Sequence, residues 1–280
     1  NWQADSLENG GGSMGENGGV APEILEKQNT YRAEAVKKAA EGGYDTIIFV
    51  GGQNHFQDLE GHDRPDMKLP YAQDKLIEEL LEVAPDTVMV MFSGSPVEMP
   101  WISKAHTLVW NWFNGMEGGT ALAEVLFGKV NPSGRLPETF PVSHLDCSAH
   151  CIGQFPGGRT VDYAEGIFVG YRYYDTKQVP VLFPFGYGLS YTEFVYSNMR
   201  VEGTYPHFKV SVDVTNAGTM AGKEVVQIYV GKPDSAVERA MKELRGFNKL
   251  TLAPGETKTA EVTLDEAAFT YFDENLRHFV

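Results

Sequence analysis

Long apolar runs are missing from this 280-residue sequence. No stretch approaches the roughly 18 residues that a helix needs to cross a bilayer, so no helical membrane span is expected. The first residues, NWQADSLENGGG, have no basic region followed by an apolar core, and do not read as a signal peptide. They do not read as the start of a folded unit either, so the chain is expected to be a fragment, with any targeting signal lost with the missing part. Basic residues are also in short supply. Lys and Arg number 23 against 38 Asp and Glu, a formal net charge of −15. Such a surface repels phosphate backbones and anionic lipids, which argues against nucleic-acid and membrane partners. Neutral substrates such as sugars are compatible with it. The compartment, cytoplasmic or secreted, stays open.

Cysteine is nearly absent: Cys147 and Cys151, in CSAHC, are the whole complement. A metal site would draw on Cys147, His150 and Cys151. That spacing matches no common zinc pattern, and no second cluster completes four ligands. A plain loop or a local disulfide is the expectation, and no metal or cofactor is expected.

What is present suits a folded protein. Hydrophobic residues make up 42% and aromatics 12%, too rich for disorder. The length favours two domains, since single cores stop growing near 250–300 residues. YRAEAVKKAA (31–40) predicts a helix stopped by Gly42 and Gly43, and YDTIIFV (44–50) a strand buried on both faces. A helix over 71–83, a strand over 87–92, a short helical piece over 101–105, a strand over 107–112 and a helix over 119–127 follow. Strand, turn and helix alternate, which predicts βαβ units and a largely parallel sheet. Ligands of such sheets sit beyond the C-terminal strand ends, so the loops after Val50, Phe92 and Trp112 are the places to look. Residues 155–192 are aromatic and Gly-rich with little regular period. From Phe194 onward short alternating strands (208–214, 224–230, 244–250, 257–264) and turns at Asn216-Ala217-Gly218 and Pro254-Gly255 predict an antiparallel sandwich. The expected division is an α/β domain over 1–155, a connection over 156–192 and an all-β domain over 193–280. The GxGxxG spacing of a dinucleotide site is missing after Gly51-Gly52, and FSGSP is not a GxSxG nucleophile elbow.

Several motifs stand in order along the chain. EGHDRPDMKLPYAQ (60–73), GSPVEMPW (94–101), EGGTALAEVLFGKVNPSGRLPETFP (117–141), IFVGYRYYD (167–175) and FPFGYGLSYTEF (183–194) resemble family-3 glycoside hydrolases. VTNAGTMAGKEVVQIYV (214–230) resembles their fibronectin type III-like domain. The resemblance implies an (α/β)6-sandwich domain followed by an all-β, immunoglobulin-like domain. The sandwich looks truncated at its start and the β domain at its end. In the family, a (β/α) barrel carries the nucleophilic Asp. That barrel is absent here, and would come from the same intact chain or from another chain.

Retaining glycoside hydrolysis uses two carboxyl groups about 5–5.5 Å apart. By its match to the EGxDR motif, Glu60 is the candidate general acid/base; from position alone it would read as a solvated loop carboxylate. Asp58 is the runner-up. Asp63 and Arg64 are expected to pair and brace the loop, with His62 lining the site or lying on the surface. Glu98 and Glu117 are expected to be structural, Trp110, Trp112 and Phe113 to be core more readily than a sugar platform, and Glu165 and Arg172 to form a polar pair. The resemblance implies part of a retaining exo-acting β-glycosidase, a β-glucosidase more readily than a β-xylosidase. It would act on a β-glucoside or an oligosaccharide and be inactive without the barrel. A non-catalytic carbohydrate-binding or scaffold module is the alternative, and a phosphorolytic relative a third possibility.

Overall fold

The computed structural model describes residues 22–54, 57, 58, 60, 61, 63–155 and 157–280. It divides into two compact units between Gly118 and Gly119.

In the first unit, helix α1 spans Pro22–Glu41 and α2 spans Gln73–Val83. α1 begins well before the expected Tyr31. Proline is favoured in a first helical turn, where its missing N–H costs nothing, and Pro22 stands at that position. Strands β1 (Ile48–Gly52), β2 (Val88–Phe92) and β3 (Thr107–Trp110) lie in the order β1–β2–β3. Both pairings are parallel, with Gly52 across from Phe92 and Met91 across from Trp110. The C-terminal ends of all three strands therefore lie along one edge of the sheet, and the three loops leave from there.

Burial on both faces is found at β2, where Met89, Val90 and Met91 are fully buried. It fails at β1, where Ile48 and Val50 are exposed while Phe49 is buried. β1 ends the described sheet order, so an apolar run there does not imply two covered faces. α2 buries Leu76, Ile77, Leu80 and Leu81 along one stripe, the spacing of a helix that packs one side on a core. Arg32 Nε reaches Glu79 Oε2 at 2.9 Å and ties α1 to α2.

The second unit opens with α3 (Gly118–Leu126), which begins at the last residue of the first unit. The aromatic stretch is more regular than its composition suggests. β4 (Phe140–Pro141) pairs with β5 (Val181–Phe183), and two short helices, α4 (Ser148–Cys151) and α5 (Tyr171–Lys177), lie between them. The β domain has β6 (Phe194–Thr204), β7 (His207–Asn216), β8 (Gly222–Val230), β9 (Glu243–Leu252) and β10 (Thr257–Leu264). A short hairpin of β11 (Phe272–Asp273) and β12 (His278–Phe279) follows. The antiparallel sheet β10–β7–β6 faces the antiparallel pair β8–β9. Val212 and Val214 of β7, Val226 of β8, Leu252 of β9 and Ala260 of β10 form the core between them. The fold is thus an α/β domain with a parallel sheet followed by a fibronectin-like β-sandwich.

Buried and half-buried polar residues fasten the preceding segment to this sandwich. The Arg135 guanidinium pairs with the Glu224 carboxylate, whose other oxygen accepts from Tyr196 Oη at 2.8 Å. Asn131 Nδ2 donates to the Ala221 carbonyl at 3.0 Å, and its Oδ1 accepts from Tyr191 N and Ser190 Oγ. Asn216 is fully buried, and its amide donates to Met220 O and Leu252 O while accepting from Thr192 Oγ1 and Gly218 N. Every polar atom of that side chain is satisfied, which is what makes a buried amide tolerable.

Gly52 has φ of +133°, and a Cβ added there would lie 1.8 Å from the Phe92 carbonyl oxygen. Gly52→Ala should therefore cost about 4 kcal/mol of first-unit stability. Gly255→Ala, at φ +74° in open space, should cost about 1–2 kcal/mol in the second unit. Chemical denaturation followed separately for the two units checks both.

Candidate active site

The site is assembled from the loop after β1, and one side chain holds its first residues. Gln73, at the start of α2 and 3% exposed, donates from Nε2 to the Gly52 carbonyl at 2.8 Å. Its Oε1 accepts from Gly52 N, also at 2.8 Å. One amide thus satisfies both polar groups of one backbone residue, as a neighbouring strand would. The approach needs glycine at 51: a Cβ at Gly51 would lie 2.4 Å from Gln73 Oε1. A third bond, Nε2 to the Pro70 carbonyl at 3.1 Å, ties the far end of the loop to the same amide. Gln73 therefore closes the loop at its base.

Next along, Gln53 N donates to the Phe92 carbonyl at 2.7 Å, carrying the chain past the strand end. The fully buried Ser93 hydroxyl lies 2.8 Å from Gln53 Oε1 and 2.6 Å from the Ser95 carbonyl. Asp58 N donates to Asn54 O at 3.0 Å, and Gln57 Nε2 donates to Tyr71 Oη at 2.7 Å. The loop is then stitched to the one after β2. Gly94 N donates to Asp58 Oδ2 at 3.2 Å, Arg64 Nη2 donates to Ser95 Oγ at 2.7 Å, and Glu98 N donates to Met67 O at 2.8 Å.

Within this frame Glu60 and Gly61 sit at an exposed turn, Gly61 with φ of +79°. Asp63 is also exposed and Arg64 half-buried. His62 lies outside the described residues. Arg64 was expected to pair with Asp63 and is held by Ser95 and the Pro96 carbonyl, a bracing contact reaching across to the neighbouring loop. Asp58, the runner-up acid, is half-buried and accepts from a backbone N–H, so it serves the join between the two loops.

The third loop approaches the same point. The Phe113 ring lies 3.1 Å from where a Gly94 Cβ would stand, so Gly94 fits between Asp58 and Phe113 because it has no side chain. Trp110 and Trp112 meet edge to face at 6.0 Å, both half-buried, while Phe113 is 49% exposed. The aromatic group expected as core is thus only partly covered. Glu117 is exposed just before α3, at the end of the helix that favours negative charge.

Two expectations away from this edge are corrected. Arg172 pairs with Glu243 at 3.4 Å rather than with Glu165, because β9 brings a carboxylate alongside α5. Cys147 and Cys151 are free thiols on and beside the one-turn helix α4, rather than joined in the local disulfide weighed above. Their sulfurs meet tyrosine hydroxyls, Cys147 with Tyr174 at 3.5 Å and Cys151 with Tyr173 at 3.1 Å. Burial pushes the Cys147 thiol up, making it a poorer nucleophile.

Sequence reasoning quoted Gln73 as part of a motif but gave it no role. A polar residue opening an amphipathic helix, 21 positions after a Gly-Gly strand end, was the available signal. Its partner could not be known until the loop was closed.

An α/β unit presenting a loop carboxylate at a parallel-sheet edge, joined to a fibronectin-like sandwich, is the architecture of a glycoside hydrolase's C-terminal region. Residues 3–191 match the glycosyl hydrolase family 3 C-terminal domain, and residues 224–280 match the fibronectin type III-like domain. The chain belongs to glycosyl hydrolase family 3. It is 46% identical over 270 residues to beta-glucosidase BoGH3A of Bacteroides ovatus, covering 93% of this chain and 36% of that protein. To thermostable beta-glucosidase B of Acetivibrio thermocellus it is 45% identical, covering 94% of this chain and 34% of that one. Among solved structures, the Kluyveromyces marxianus beta-glucosidase in complex with glucose superposes with a TM-score of 0.86 at 40% identity, over 93% of this chain and 31% of that one. The chain therefore spans about a third of the length of these relatives.

Beneath the loop, the Trp101 indole donates to Asp74 Oδ1 at 2.8 Å. Burial raises the Asp74 pKa, and this outweighs the lowering by that bond. A carboxyl with a raised folded-state pKa costs stability once it ionises, and the cost is absent at pH values where it is protonated in both states. Asp74→Asn, which can still accept from Trp101, should raise the melting temperature at pH 7–8. The gain should vanish near about pH 3; melting curves across that range check it.

Proposed function

We propose that this chain supplies the general acid/base of a retaining β-glycosidase, with a β-glucoside as substrate. The nucleophilic Asp then comes from a barrel domain, in the same intact chain or in a partner. In this reading residues 1–155 are the α/β domain, 156–192 the connection and 193–280 the β domain, and this chain alone does not turn over. The observation that carries the reading is the placement of Glu60: an exposed carboxyl on a loop whose base is held by buried bonds and whose flank is braced by Arg64. Such a group is free to meet a second carboxyl from outside the chain, while the loop is held at Gly52, Asp58 and Arg64. The names of the relatives, beta-glucosidases throughout those described above, support the substrate class.

The mechanism follows from the two-carboxyl requirement. Protonated Glu60 gives its proton to the departing glycosidic oxygen as the nucleophile attacks the anomeric carbon. The glycosyl–enzyme ester then forms with its carboxyl partner about 5–5.5 Å away. Ionised Glu60 next takes a proton from water, whose oxygen attacks the same carbon and releases the sugar and the nucleophile. Asp63 and Arg64 serve as supporting residues of the loop, Arg64 through Ser95.

In the intact protein, Glu60→Ala should lower kcat/KM on an alkyl β-glucoside by about 10²–10⁴-fold. An activated aryl β-glucoside, whose leaving group needs no proton, should lose much less, and azide should restore turnover with release of a β-glucosyl azide. Equal losses on both substrates, without azide rescue, would remove Glu60 from the reaction and leave the carbohydrate-binding or scaffold reading.

A further inference from the structure

β6 is an unusual strand. It is 11 residues long, and every residue after Phe194 is exposed. It ends the order β10–β7–β6, so among the described residues its outer edge carries no partner strand. Val195, Met199 and Val201 are 52%, 68% and 57% exposed. An edge of this kind has a row of N–H and C=O groups ready to pair with another strand.

The charge pattern says which strand fits. Val201 lies across from the core residue Val210, so its neighbours Arg200 and Glu202 share the opposite face of β6. Placing a second β6 antiparallel to the first, with a two-fold axis through Val201, sets Arg200 opposite Glu202 of the other molecule. The symmetry repeats that pair. Val201 then meets Val201 on the core side and extends the apolar face across the axis. Moving the axis one residue either way opposes Arg200 to Arg200, or Glu202 to Glu202, and like charges directly opposite are unfavourable. The strand is therefore complementary to itself in one register, which is the requirement for a closed two-fold interface. The register shift between Ser197 and Arg200, with Asn198 at φ +51°, interrupts the regular ladder of β6. It confines regular pairing to the part centred on Val201. Arg200 also bridges to Asp213 of the same sheet at 3.2 Å, which holds its guanidinium on this face.

We propose that β6 is a self-association edge through which two copies of this chain pair antiparallel about Val201, joining two β10–β7–β6 sheets into one. The contact is short, so it should be weak and concentration-dependent.

Sedimentation equilibrium of the chain over rising concentration tests this. The wild type should move from monomer toward twice the monomer mass. Glu202→Arg and Arg200→Glu should each stay monomeric alone, since each sets like charges opposite one another. Mixed in equal amounts they should associate, because the mixed pair restores opposite charges at both positions. Circular dichroism and melting curves report whether each variant is folded. If Arg200→Glu does not fold, Glu202→Arg and loss of wild-type association in high salt carry the test. A wild type that stays monomeric at millimolar concentration overturns the proposal. So does a folded Glu202→Arg variant that associates as the wild type does, or a mixture of folded variants that stays monomeric.

Discussion

The amide of Gln73 on the backbone of Gly52 is the contact from which the rest of the site follows. A parallel sheet delivers three strand ends to one edge, but a strand end alone leaves the next loop free. Here a side chain from the following helix occupies the N–H and C=O that another strand would take, and also holds the returning chain at Pro70. Because the amide is buried, losing it would strand those backbone groups away from water, a cost well above the net value of a solvent-exposed bond. Gly51 is part of the same contact, since a side chain there would meet the amide, and Gly52 has no room for one beside Phe92 of β2. The carboxyl of Glu60 inherits its place from this base, and from the bonds of Asp58 and Arg64 to the neighbouring loop.

The second unit is organised on a similar economy of buried and half-buried polar groups. Arg135 and Asn131 come from a loop and end at the sandwich, and Asn216, at the end of β7, receives Thr192. They explain why residues 119–192, which read as the tail of an α/β domain followed by an irregular connection, cohere with the β domain. A half-covered apolar surface gives such a segment little direction, whereas an amide or guanidinium with one geometrically suitable partner fixes it. Glycines at Gly188 and Gly222 allow the close approach, with a Cβ at Gly188 falling 2.4 Å from the Gly134 carbonyl.

Much of the architecture was legible before any coordinates. Alternating strand and helix periods placed β2 and α2 within a residue or two, and β10 at its full extent, because in those segments the pattern of burial and the local propensity agree. The pattern misled at β1, where apolar composition was taken for double burial. It was silent over α5, whose run YRYYDTK has no simple hydrophobic stripe. Within the loop after β1, the motif marks the segment, while the bonds that hold it were not legible. Arg64 next to Asp63 invites a local ion pair, yet the guanidinium reaches Ser95, 31 positions on. Bonds across that distance depend on how two loops meet, which periodicity does not encode.

The central claim is that Gln73 holds the loop bearing Glu60, and amide hydrogen exchange on Gln73→Met tests it most directly. Met is close in size to Gln and cannot pair with the backbone. The account predicts that amides at Gly52, Gln57, Asp58, Glu60 and Gly61 exchange faster in the variant, while those of β2 and β3 keep their protection. Unchanged exchange in the loop, in a variant that is otherwise folded, would contradict it.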